Sequence, residues 1–109
     1  MKENILMEVT DKRKFHAFQF TGTDENINAL RLLMQQMLKK FTIFRAYEFD
    51  CFCMSLEDIG GAMTYKDLNI GDWITFKNEE GKTVVSVIID ELFSNYYEAV
   101  EHICYEEKV

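Results

Sequence analysis

Residues 13–40 read RKFHAFQFTGTDENINALRLLMQQMLKK, and the change of period inside this stretch sets the expected fold class. Its first eight residues are rich in aromatics. As a strand they would place Phe15, Ala17 and Gln19 on one face and His16, Phe18 and Phe20 on the other. Thr21-Gly22 ends the strand. From Asp24 to Lys40 the period lengthens: Ile27, Leu30, Leu33, Met34, Met37 and Leu38, with Phe41 just beyond, recur three and four residues apart. That spacing predicts an amphipathic helix. Thr23 or Asp24 can cap its N-terminus, and Asp24 and Glu25 sit where the helix dipole favours negative charge.

Downstream the period returns to two. Residues 42–49 (TIFRAYEF) and 51–56 (CFCMSL) read as strands, followed by a turn at 58–61 and a short segment around Met63–Tyr65. A second turn, Asn69-Ile70-Gly71-Asp72, precedes the strand WITFK at 73–77. Residues 78–81 form a hairpin loop with Gly81 where positive φ is needed, and TVVSVII at 83–89 returns as a buried strand. Past Asp90 two readings stand. Leu92, Phe93, Tyr96, Tyr97 and Val100 fit one face of a helix, or a single turn at 91–95 leads into a strand at 97–105. The sum predicts one α+β domain over residues 1–109, with a single amphipathic helix packed on a bent antiparallel sheet or partial β-barrel.

Composition narrows the function classes. Fifteen aromatic residues supply a core for 109 residues, which argues against disorder. The formal charge is −7 and unevenly spread: residues 1–54 hold eight basic and seven acidic side chains, residues 55–109 four and twelve. An acidic surface repels phosphate, so direct nucleic-acid binding is not expected and a basic protein partner is favoured. No run of eighteen apolar residues predicts a membrane span. Met1–Thr10 lacks the basic-then-apolar pattern of a secretory signal, and the three cysteines are an odd number. A reduced, cytoplasmic setting is therefore expected.

Several residue groups are candidates for chemistry. Cys51 and Cys53, with His102 and Cys104, form two i,i+2 pairs that would make a weak tetrahedral zinc set if brought together, against a simpler reading as three buried thiols behaving as small hydrophobes. Lys12, Arg13 and Lys14 are the one basic cluster and the candidate site for a small anionic ligand. The C-terminal Tyr96, Tyr97, Glu98, Glu101, Glu106 and Glu107 combine aromatic and acidic groups suited to a protein interface. Asp72-Trp73 reads as a turn cap and core anchor. His16 lies among phenylalanines, and no nucleophile–base motif or phosphate-cradling loop is present, so no enzyme activity and no cofactor are expected.

Two stretches carry a family resemblance. The first is Ala17, Gln19, Phe20, Thr21 and Gly22 followed by the helix. The second is Ser55-Leu56-Glu57, Met63-Thr64 and Gly71-Asp72-Trp73-Ile74, then Gly81, Phe93, Tyr97 and Glu98. In order and spacing they resemble a family of small phage and prophage proteins of uncharacterised function. The chain departs from that pattern in its plain strand 84–89 and in continuing through residues 100–109. The resemblance implies a phage-borne accessory protein in a bacterial host cytoplasm and no reaction. With the acidic second half, the expectation is a protein that binds a host protein, in its sharpest form an anti-CRISPR-like inhibitor of a defence system. An oligomeric protein sequestering a small anionic nucleotide signal and a minor structural phage component are the alternatives.

Overall fold

The computed structural model describes residues 14–37, 41–46, 51–57, 61–79, 81–102 and 104–108. Along the chain these form β1 (Phe15–Gln19), α1 (Asp24–Met37), β2 (Phe41–Ala46), β3 (Cys51–Glu57), β4 (Met63–Leu68), β5 (Trp73–Glu79), β6 (Lys82–Ile88), α2 (Asp90–Tyr96), β7 (Tyr97–Glu101) and β8 (Cys104–Glu107). The strands fall into two antiparallel sheets. One has the order β6-β5-β1-β8-β7, and the other is the meander β2-β3-β4.

This corrects the expectation of one helix on a single bent sheet or partial barrel. The structure is mostly β, with eight strands in two sheets and two helices among the described residues. The physical reason lies in β1. Its one edge pairs with β5, from His16 opposite Phe76 to Gln19 opposite Trp73, and its other edge pairs with β8 at Phe15–Tyr105 and His16–Cys104. β1 is thus an inner strand of the larger sheet, paired along β5 and at Phe15 and His16 with β8, while among the described residues the meander β2-β3-β4 pairs only within itself. At the C-terminal end the structure follows the second of the two readings, with the turn extended to the short helix α2 and the strand from Tyr97 divided into the antiparallel pair β7 and β8.

The expected helix forms over Asp24–Met37; residues 38–40 lie outside the described residues. Thr23 is its cap: the Asn26 N–H donates to Thr23 Oγ1 at 3.1 Å. Leu30 and Met34 are fully buried, and Ile27 and Leu33 pack beside them. They share one core with Ile43, Met54, Leu56 and Leu68 of the meander and with Ile74, Phe76 and Val85 of the larger sheet. α1 thus joins the two sheets through a shared apolar core, with Asn26 donating to the Gln19 carbonyl of β1 and Arg31 to the Ile43 carbonyl of β2. Phe20, also fully buried, joins the same core from just beyond β1.

The end of β1, the start of α1 and the turn before β5 meet in a polar joint. Phe20 N–H donates to the Asp72 carbonyl, and Gly71 N–H to the Phe20 carbonyl, each at 2.8 Å. Asn26 accepts from Thr21 N–H at Oδ1 and donates from Nδ2 to the Gln19 carbonyl. Buried Asp72 accepts from the Asn69 N–H at 2.9 Å, the turn cap expected from sequence. Gly22 sits in this joint at φ +81°, where a Cβ would lie 3.1 Å from the Ile70 side chain. The Gln19–Gly22 and Gly71–Trp73 stretches are therefore accounted for by their contact with each other.

Candidate functional site

The C-terminal unit is mounted on the larger sheet by aromatic side chains. Phe93, the buried residue of α2, stacks on Trp73 with ring centroids 4.1 Å apart and planes 6° from parallel. It also meets Tyr97 at 5.2 Å and Tyr105 at 5.0 Å, while Phe15 meets Tyr97 edge-on at 4.9 Å. Lys77 Nζ lies over the Phe15 ring at 4.9 Å and the Tyr97 ring at 5.5 Å. Asp90 fastens the start of the helix by accepting from Trp73 Nε1 at 2.7 Å and from Gln19 Nε2 at 3.4 Å. Tyr97 is thus a mounting residue, half-buried in this cluster, rather than a free anchor. Leu92 and Tyr96 stay exposed, because a helix of seven residues turns only one side to the sheet, and Val100 is exposed on the edge strand β7.

β7 is an edge strand, exposed from Glu98 to Glu101. Its register with β8 sets Tyr97 opposite Glu107, Glu98 opposite Glu106, Ala99 opposite Tyr105 and Glu101 opposite Cys104, with an irregularity between Ala99 and Glu101. Alternation along the pleat then sorts the expected binding residues. Glu98, Glu101 and Glu106 share the face that carries His16 and Cys104. Tyr97 and Glu107 share the opposite face, under α2, and Tyr96 (62% exposed) stands at the end of that helix.

Two carboxylates directly opposed on neighbouring strands repel one another, and no cation separates Glu98 from Glu106 in the register. The nearby cation is Lys14, whose Nζ lies 2.6 Å from Glu101 Oε1. That hydrogen bond, and the charge behind it, holds Glu101 below the usual carboxylate range and Lys14 above the usual lysine range, with Glu106 adding to the latter. Lys14, the described member of the basic cluster, is thus paired with Glu101 on the acidic face. Lys12 and Arg13 lie outside the described residues.

The expected metal ligands are divided. Cys51 and Cys53 stand on β3 in the meander, whereas His102 occupies the turn after β7 and Cys104 opens β8 in the other sheet. The set Cys51, Cys53, His102 and Cys104 is not assembled. Cys104 instead has His16 as neighbour, with Sγ and Nδ1 3.9 Å apart. The residue that joins the other pair is Asp67 of β4, which sequence reasoning missed. β3–β4 register places it opposite Cys53, and Cys53 Sγ donates to its Oδ1 at 3.6 Å. Alternation in Met63–Leu68 puts Asp67 on the same face as Met63 and Tyr65, but only the pairing tells which residues stand across from it.

Among the described residues no helix is long and apolar enough to cross a membrane. No family model, curated protein or solved structure matches the chain.

Proposed function

We propose that this chain is a non-enzymatic binding protein that engages a basic protein partner through the acidic face of the β7–β8 hairpin. The observation that carries the reading is the alignment of Glu98, Glu101 and Glu106 on one face of an edge hairpin, with Glu98 directly opposite Glu106. An arrangement that costs folding stability is kept where a partner's charge offsets it. The overall charge of −7 adds long-range attraction for a basic surface and speeds encounter. Tyr96 and Glu107 flank the same edge from the other side and extend the contact for a partner that wraps it.

The resemblance to small phage and prophage proteins gives the proposal its sharpest form: an accessory protein in the bacterial cytoplasm that occupies a basic surface of a host protein, such as a nucleic-acid-binding surface of a defence system. The engagement of Lys14 by Glu101 weighs against capture of a small anionic signal. The test is capture from bacterial host lysate on the immobilised protein, beside a variant carrying Glu98→Gln, Glu101→Gln and Glu106→Gln. The expected outcome is a basic protein held by the original chain, released as salt is raised, and absent from the variant. Equal capture by the neutralised variant overturns the reading.

A further inference from the structure

The three-stranded sheet carries a second cluster, independent of the β7–β8 surface. Along β3 the side chains of Phe52, Met54 and Leu56 turn to the core, so Cys51, Cys53 and Ser55 share the other face. Register places Phe44 and Asp67 on either side of Cys53 on that face. Ser55 is occupied by Thr42, its hydroxyl 3.1 Å from Thr42 Oγ1, which leaves the two thiols and the Asp67 carboxylate as one group. The two sulfurs and a carboxylate oxygen all lie within 4.8 Å of one another.

We propose that Cys51, Cys53 and Asp67 form a site for a divalent metal ion of zinc type. A tetrahedral zinc with sulfur ligands at about 2.3 Å and a carboxylate oxygen at about 2.1 Å has ligand–ligand edges of about 3.5–3.8 Å. The Cys53–Asp67 separation of 3.6 Å already matches such an edge. The remaining separations close by about 1 Å at most, within reach of small side-chain rotations from a sheet backbone that keeps its register. Two thiolates and one carboxylate suit a borderline-soft divalent ion better than magnesium or calcium, which take oxygen ligands. Three protein ligands leave the fourth position to water or to a partner's side chain. Both cysteines are half-buried and Asp67 is exposed, so the ion has a route in from solvent.

Without metal, burial, the Asp67 hydrogen bond and the neighbouring Cys51 push the Cys53 thiol above its ordinary range. Metal binding needs the thiols deprotonated and so releases protons, which makes affinity rise with pH. A structural pair of thiols meant only for packing has no need of a carboxylate in register; across from a metal-bound thiolate the carboxylate is a ligand.

The experiment uses the reduced full chain under argon, titrated with cobalt(II) chloride and then zinc(II) chloride. The expected result is a thiolate-to-cobalt charge-transfer band that saturates at one equivalent and is abolished by zinc. Cys51→Ser and Cys53→Ser lose the band, Asp67→Asn binds more weakly, and Cys104→Ser keeps the band in full. Circular dichroism, with Cys51→Ala and Cys53→Ala as second variants, separates a lost ligand from a lost fold. A reduced wild-type chain that gives no band, or a band that persists when Cys51 and Cys53 are both replaced in a folded variant, overturns the site. So does a Cys51–Cys53 disulfide whose reduction restores no metal binding.

Discussion

Replacing Glu98 should stabilise the fold while weakening partner binding, and the size of the effect follows from the register. Directly opposed residues on antiparallel strands have Cβ atoms about 4.5–5.5 Å apart, which sets the two carboxylates about 6 Å apart. In water two unit charges at that distance repel by about 0.7 kcal/mol. At about 0.15 M salt the screening length is about 8 Å, which cuts the repulsion to about 0.3 kcal/mol; at about 0.01 M nearly all of it remains. Glu98→Gln should therefore raise stability by about 0.3 kcal/mol at the higher salt and about 0.6 kcal/mol at the lower. Glu98→Lys turns repulsion into attraction and roughly doubles each gain. Glu98 is the better position to change, because Glu106 also interacts favourably with Lys14. For a domain of this size these gains correspond to melting temperatures higher by about 1–8 °C across the two variants and two salts. The assay is thermal unfolding of the original chain, Glu98→Gln and Glu98→Lys at both salts. The expected order is Glu98→Lys above Glu98→Gln above the original, with wider gaps at low salt. A Glu98→Gln variant that melts below the original at both salts refutes the opposed-carboxylate reasoning.

Other perturbations probe the scaffold behind that surface. Phe93→Ala removes the ring that stacks on Trp73 and should cost about 3–5 kcal/mol, with loss of the near-ultraviolet dichroism of the stacked tryptophan; a cost below about 1 kcal/mol would mean that α2 is not mounted through this ring. Thr75, only 1% exposed, has a hydroxyl with no hydrogen-bond partner among the described residues. Thr75→Val keeps the shape, removes an unpaired polar atom, and should stabilise by about 1 kcal/mol in urea unfolding, whereas destabilisation would show that the hydroxyl has a partner. The Lys14–Glu101 pair makes a prediction in pH. The Glu101 value is lowered from 4.5, so its contribution is present above that value and fades as pH falls through the folded value. The Lys14 value is raised from 10.5, so its contribution is present below that value and fades as pH rises through the folded one. A double-mutant cycle with Lys14→Met and Glu101→Gln should thus give a coupling that is level through neutral pH and smaller at both extremes. Both side chains are more than half exposed, so the coupling should also shrink with salt; one that grows in acid contradicts the pairing.

Much of the local structure is written in short-range pattern. The helix at Asp24–Met37 follows from Ile27, Leu30, Leu33 and Met34 falling on one side and from Thr23 at its cap, both properties of neighbours in sequence. The Asn78–Gly81 hairpin likewise follows from local chemistry: Asn78 Oδ1 accepts from the Gly81 N–H, and Gly81 adopts φ +80°. Asp72 as a turn cap and Trp73 as a core anchor were legible for the same reason. The acidic character of the second half is composition alone.

What the sequence by itself determined, then, is the helix α1, the strands up to β6 in outline, which residues of a strand share a face, and the sign of the surface charge; past Asp90 it left helix and strand open. These depend on residues one to four positions apart. Only the tertiary structure decided which strands share a sheet, because alternation says which face a side chain takes and nothing about the strand beside it. That pairing removed β2, β3 and β4 from the β1 sheet and so divided Cys51 and Cys53 from His102 and Cys104. It set Asp67 opposite Cys53, Glu98 opposite Glu106 and Lys14 against Glu101, and it drew Tyr97 into the cluster beneath α2. Each of these is a contact between residues distant in sequence, and each acquires its chemistry from a neighbour that no local pattern names.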